Sequence, residues 1–141
     1  MILFIRGRLR LLAIRMKYML YTGIYKMDID PSARISFGAR LDKTNPQGVH
    51  IGKESYVASG AIVFAHDFSR GIHKDTYIGC RCFIGANAII MCGVRIGDEV
   101  VVGSGAIVTK DVPSNCVVAG NLARIIRDGI KTKKSGQIRK E

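Results

Sequence analysis

Tryptophan is absent from the 141-residue chain, and prolines number only three against sixteen glycines. That balance excludes a helix bundle and points to many tight turns. No uncharged apolar run approaches the roughly 20 residues that span a bilayer. Arginines interrupt the N-terminal apolar residues from Arg6 onward and no small-residue cleavage site follows, so no cleavable signal is expected. The four cysteines, Cys80, Cys82, Cys92 and Cys116, lack the paired spacings of zinc sites. They read as reduced thiols that act as small apolar residues in a cytoplasmic chain. What is present suffices for a core: 48% hydrophobic and 23% charged residues exclude wholesale disorder. The length argues for one domain with appendages.

Acidic residues are missing at one end. Residues 1–26 carry Arg6, Arg8, Arg10, Arg15, Lys17 and Lys26 and no acid. Residues 124–141 carry seven bases against Asp128 and Glu141, whereas 27–123 holds nine bases and nine acids. The net charge of +11 therefore belongs to the two ends. Basic residues clustered on the body with aromatics between them, the footprint of a nucleic-acid groove, are not seen, so no nucleic-acid partner is expected.

The main signal is a six-residue ladder of aliphatics: Ile29, Ile35, Leu41, then Ile51, Val57, Val63, then Ile78, Ile84, Ile90, Ile96, Val102 and Val108. Glycine often follows, at Gly52, Gly79, Gly85, Gly97 and Gly103, and a small or β-branched residue stands four places on, as at Ser55, Ala61, Cys82, Ala88 and Ala106. A period of six fits neither a helix nor an alternating strand. It means a solenoid, each turn burying its face only by stacking on the next. Aliphatics stacked at the corners would each contribute about 1.5–3 kcal/mol, with glycine and asparagine relieving corners of unusual dihedral angle.

Hexads such as IGCRCF-IGANAI-IMCGVR-IGDEVV-VGSGAI resemble those of the hexapeptide-repeat transferases. The resemblance covers roughly 27–127 and implies a left-handed parallel β-helix, mainly β, with about three hexads per coil. The expected division is an N-terminal helical cap over 1–28, the β-helix over 29–121, and a C-terminal segment with a basic, solvated tail over 122–141. On a helical wheel for residues 2–21, Leu9, Leu12, Met16, Met19 and Leu20 form one stripe, and Leu11, Ile14, Tyr18 and Tyr21 a second. The bases split between the two gaps, which favours a packing cap or oligomer contact over membrane docking.

Two breaks interrupt the ladder. Leu41 to Ile51 is ten residues, and Val63 to Ile78 is fifteen. Insertions in solenoids become protruding loops, and loops often carry function. The second break, inserted near 66–77, holds His66, Asp67, Ser69, Arg70, His73 and Asp75, the densest polar group in the neutral body.

The stretch AIVTKDVPSNCVVAGNLARIIR at 106–127 is similar to the coenzyme-binding end of sugar and maltose O-acetyltransferases. That resemblance implies transfer of acetyl from acetyl-CoA to a sugar hydroxyl or amine, in a homotrimer with sites between subunits. It implies Thr109 and Lys110 at the coenzyme, Arg124 and Arg127 at its phosphates, Ala86 and Ser104 along the pantetheine arm, and Phe83 packed beside it. Leu122 departs from the pattern, whose GNPA turn has proline. A neutral sugar hydroxyl needs a base to remove its proton, and histidine titrates in the right range. His66, in VFAHDFSR, matches the catalytic histidine of the resembled enzymes; His73 is the second candidate, and Asp67 could orient an imidazole. His50 has no evident role. No residue suggests an acyl-enzyme nucleophile, so direct transfer is expected.

The short N-terminal segment resembles acetyltransferases of surface-polysaccharide biosynthesis, some of which modify nucleotide-linked or lipid-linked sugars, and basic ends suit peripheral contact with the inner membrane face. The sequence leaves open whether the acceptor is free, nucleotide-linked or lipid-linked. Three alternatives remain. One is a non-catalytic β-helix assembly module. Another is serine acetyltransferase, whose LDHATG-like stretch has histidine where LDKTNPQG has lysine. The third is a zinc hydratase of the γ-carbonic anhydrase type, whose ligand spacing the three histidines fit poorly, so no metal is expected.

Overall fold

A computed structural model describes residues 1–140, and Glu141, the last residue of the C-terminal segment, lies outside the described residues. After the N-terminal helix the chain winds as a left-handed β-helix of two- to four-residue strands on three flat faces. The first face stacks Asp28–Ile29, Val49–Ile51, Thr76–Ile78 and Arg95–Ile96. The second stacks Arg34–Ile35, Tyr56–Val57, Phe83–Ile84, Val101–Val102 and Cys116–Ala119, with Arg124–Asp128 added antiparallel at its end. The third stacks Arg40–Leu41, Ile62–Val63, Ile89–Ile90 and Ile107–Val108.

The ladder is the register. Ile29 pairs with Ile51 and Ile51 with Ile78; Leu41 pairs with Val63, Val63 with Ile90, and Ile90 with Val108. Both breaks are absorbed as loops without shifting it. The aliphatics do not sit at the corners, as expected from sequence, but point inward from the flats, where all twelve are buried. The small residues four places on, such as Ser55, Ala61, Cys82 and Ala88, fill the turns and are fully buried. Chain parity explains the correction: in a two-residue strand one side chain faces the core and its neighbour faces out.

The glycines after the aliphatics serve close packing, while glycine and asparagine elsewhere relieve corners as expected. A Cβ on Gly52 would lie 2.6 Å from the Gly79 carbonyl oxygen, so this glycine permits close approach of successive coils. Left-handed dihedrals fall instead on Glu54, Arg81, Glu99 and Asn115, one per coil along a single edge, and on Gly60, Asn87 and Gly105 along another.

Both ends are tied down by these edges. The helix, Ile2–Met19, continues as a wider turn over Leu20–Ile24. Tyr21 joins the core and Tyr18 packs against it, its hydroxyl donating to the Ile29 carbonyl at 3.1 Å. Only the second wheel stripe faces the coils, and only at its C-terminal end. Leu9, Leu12, Met16 and Met19 are exposed, so the helix caps the stack through its last turns alone. The basic tail is not free in solvent, contrary to expectation. Ile130 and Thr132 are buried, the Thr132 amide donates to Glu99 Oε1 at 2.8 Å, its hydroxyl to the Arg81 carbonyl at 2.7 Å, and the Ser135 amide to the Glu54 carbonyl at 2.8 Å. The tail thus runs down the edge of left-handed residues and satisfies polar groups that corner leaves open.

On the first face His50 bridges coils, Nδ1 at 2.7 Å from Asp28 Oδ2 and Nε2 at 2.9 Å from Asp75 Oδ2. Tyr77 stacks on its ring at 4.2 Å, and the Arg95 guanidinium covers Tyr77 at 4.0 Å. Burial opposes the charged imidazole, but the hydrogen bonds and charges of Asp28 and Asp75 outweigh it and raise the His50 pKa above its ordinary 6.5.

Gly52→Ala should cost about 1–3 kcal/mol, since backbone and not a flexible side chain must yield; urea unfolding measures it. The stabilisation from His50 is full below about pH 6.5 and is lost as pH rises through the raised folded-state value. Melting temperature should fall across that window, and His50→Gln should flatten the fall.

Candidate active site

The two ladder breaks meet at one corner. Leu41 and Val63 are paired on adjacent coils, so the residues that follow them, starting at Asp42 and Phe64, leave the third face side by side. The Asp42 amide donates to the Val63 carbonyl at 3.0 Å, and the Ala65 amide returns a bond to Asp42 Oδ2 at 2.7 Å. Beyond Ala65 the chain forms a small hairpin in which His66–Asp67 pairs antiparallel with Ile72–His73. Its base is closed by the Lys74 amide on the Ala65 carbonyl at 3.0 Å and the Thr76 hydroxyl on the Phe64 carbonyl at 2.6 Å.

His66 Nδ1 lies 2.5 Å from Asp42 Oδ2. The Asp42 side chain is 1% exposed and also accepts the Thr44 and Asn45 amides at 2.8 and 3.2 Å. Burial pushes this carboxyl up, but the Ala65 amide, the His66 ring and the Asn45 and Thr44 amides together hold it below the ordinary range. A carboxylate can only accept, so the bond requires the proton on Nδ1 and puts the imidazole lone pair on Nε2. That is the arrangement a general base requires.

Asp67 does not orient the imidazole. It faces the hairpin turn, accepting from the Ser69 hydroxyl at 2.6 Å and Arg70 Nε at 2.7 Å, and these bonds lower its pKa to about 2. Neighbouring residues of an extended strand point to opposite sides, so Asp67 could not share a side with His66. Asp42 is the residue that sequence reasoning missed. Its signal was the break Leu41–Ile51, one coil before the histidine loop, with an acid where several other coils follow the aliphatic with glycine. His73 stands across the hairpin, ring centroid 6.2 Å from that of His66, and is exposed. His50 belongs to the first-face clamp. Among the described residues no three His, Cys, Asp or Glu side chains form a group able to hold a metal ion.

His66 lines a cleft of about 460 Å³ with Lys17, Tyr21, Arg40, Lys43 and Phe64. The third face runs from it, presenting half-buried Ile62, Ile89 and Ile107. Thr109 and Lys110 occupy the same edge as His66, two coils along, about 10 Å at one strand spacing per coil. Ala86 and Ser104 stack at the opposite edge, where the Gly105 amide meets the Ala86 carbonyl at 2.8 Å. Asn121–Ala123 crosses the top of the third face beside Ile107, after which Arg124 and Arg127 lie exposed on the terminal strand of the second face. Phe83 faces out from the second face, 5.5 Å from Tyr56 and around the corner from Ala86. One face thus brings together His66, Thr109, Lys110, Ala86 and Ser104, while Phe83 and the two arginines sit on the next. The apolar strip between Ala86 and Thr109 and the exposed cations at its borders fit a long chain bearing phosphates. Burial pushes the Cys82 thiol up to about 12, leaving it inert as a nucleophile.

A model of bacterial transferase hexapeptide repeats matches residues 75–110. The protein YvoF of Bacillus subtilis (strain 168), an acetyltransferase by name, is 33% identical over 117 residues, 80% of this chain and 67% of its own. A solved maltose O-acetyltransferase from Clostridium difficile 630 shares 25% identity and a TM-score of 0.59, over 72% of this chain and 68% of that one. A serine acetyltransferase from Brucella abortus strain S19, solved with coenzyme A, shares 26% identity and a TM-score of 0.53, over 84% of this chain and 48% of that one. Other curated relatives, plant serine acetyltransferases and bifunctional GlmU proteins among them, are longer, and the chain spans a third of their length or less.

In nitrogen-15 NMR, the neutral imidazole of His66 should carry its proton on Nδ1, and Asp42→Asn should mix the two tautomers. An unchanged spectrum in the variant would remove Asp42 from this role.

Proposed function

The chain belongs to the bacterial transferase hexapeptide family, and on that premise we propose that it moves acetyl from acetyl-CoA to a sugar hydroxyl, with His66 as general base. The relatives it resembles are acetyltransferases by name, one of them solved with coenzyme A, and this chain is an acetyltransferase of the family. The observation that carries the finer reading is the half-buried His66 held by a buried Asp42 carboxylate at the end of a solvent-open cleft. His66 Nε2 takes the hydroxyl proton as the acceptor oxygen attacks the thioester carbonyl. A carbon–oxygen bond forms, the carbon–sulfur bond breaks, and the proton passes from His66 to the departing thiolate. Asp42 holds the ring and stabilises its transient positive charge. Thr109, Lys110, Arg124 and Arg127 hold the coenzyme's polar end, Ala86 and Ser104 flank its arm, and Phe83 packs at the neighbouring face.

The working unit is a homotrimer. Its support is the apolar third face beside the site and Phe68, 94% exposed at the tip of the histidine hairpin, both of which a neighbouring subunit would cover. The setting is the cytoplasm, at the inner membrane face, in surface-polysaccharide biosynthesis.

Acetyl-CoA turnover against hexoses, amino sugars and nucleotide sugars tests this. His66→Ala should lower kcat about 10²–10⁴-fold while coenzyme affinity is retained. Undiminished turnover would shift the base to His73.

A further inference from the structure

The cleft at His66 is not isolated. Lys17 and Phe37 line it and also line a second, apolar groove of about 800 Å³ with Met16, Met19, Leu20 and Ile24. In that groove Met16, Met19, Ile24 and Phe37 are 62%, 66%, 73% and 67% exposed, a contiguous apolar surface of the kind that marks a binding site. Lys17 divides the two. Its ammonium donates to the carbonyls of Phe37, Ala39 at 2.7 Å and Ser36 at 3.3 Å, so it fixes the helix to the first coil.

The polar cleft is cationic. Arg40 and Lys43 are exposed and, among the described residues, neither has a carboxylate partner. Asp42 between them is turned inward to His66. Burial, and to a lesser extent the like charge of Lys43, lower the Lys17 pKa.

We propose that the acceptor is a lipid-linked sugar. Its sugar lies at His66, its phosphate between Arg40 and Lys43, and its hydrocarbon chain along the helix groove. The assignment deepens the acetyl-transfer reading and rests on it. That the two clefts adjoin, sharing Lys17 and Phe37 as a common border, argues for one amphiphilic ligand laid across it in place of two. Charge argues against a second copy of the chain in the groove. Residues 1–27 contribute six cations and no acid, so helices laid side by side would repel. An anionic headgroup at a membrane surface complements them.

Octyl phosphate, inorganic phosphate and 1-octanol, titrated calorimetrically against the full chain below micelle formation, test the groove without requiring turnover. Octyl phosphate should bind at least about tenfold more tightly than either fragment. Met16→Asp should reduce it to the level of inorganic phosphate, and Lys43→Met to that of octanol. In acetyl transfer, an alkyl phosphosugar should exceed the same sugar phosphate in kcat/KM, and Met16→Asp should erase the difference while sparing the short acceptor. Equal binding of octyl phosphate and phosphate with transfer intact would overturn this assignment alone. So would a Met16→Asp variant that dissociates the oligomer and leaves octyl phosphate binding unchanged. Tight octyl phosphate binding without acetyl transfer to any sugar would overturn it through the reading beneath it.

Discussion

Everything in this molecule depends on how closely one coil can lie on the next. Strand backbones stack at about 4.8 Å, and at that spacing there is no room for a side chain wherever two turns touch backbone to backbone. Gly52 meets the Gly79 carbonyl at such a point. Close stacking lets the inward aliphatics form continuous columns from Ile29 to Val108 and gives each strand a hydrogen-bonded neighbour on the same face. Short strands of two residues could not hold a fold alone. Repetition of the same contact makes the stack cooperative.

Because the register is fixed, chain that does not fit it has to leave at a corner. The extra residues after Leu41 and after Val63 emerge from the same corner on successive coils. That places a buried carboxylate under a histidine 24 positions later in the chain. The pair is built from backbone: three amides and one ring nitrogen converge on Asp42, and each amide is positioned by the coil or by its loop. A rigid stack supplying a hydrogen-bonded imidazole at its surface is the kind of preorganised geometry on which base catalysis depends.

The two chain ends solve the problem every solenoid has at its exposed edges. The tail closes the edge of left-handed residues with hydrogen bonds to Glu54, Arg81 and Glu99. The helix closes the first coil with Tyr18, Tyr21 and the three carbonyl bonds of Lys17, and leaves its other apolar stripe outside. Of the basic charge that the composition assigns to the ends, Lys17 is structural, whereas Arg40 and Lys43, which belong to the charge-balanced body, face open solvent on the first coils.

The hexad period by itself determined a stacked solenoid and the location of both insertions, because aliphatics at that spacing are buried turn upon turn, while the left-handed, three-sided coil was what the resemblance of the hexads implied. Its local chemistry also marked His66, since a lone polar cluster in a break stands out against the ladder. Where the aliphatics point, which carboxylate serves His66, and the docking of the tail were decided only by tertiary structure. Strand parity turned the aliphatics inward from the flats instead of into corners. Stacking brought Asp42 to His66 across a coil, while neighbouring Asp67 was turned the opposite way by the strand it shares with the histidine. The tail found its place through polar groups on an edge that exists only once the coils are stacked.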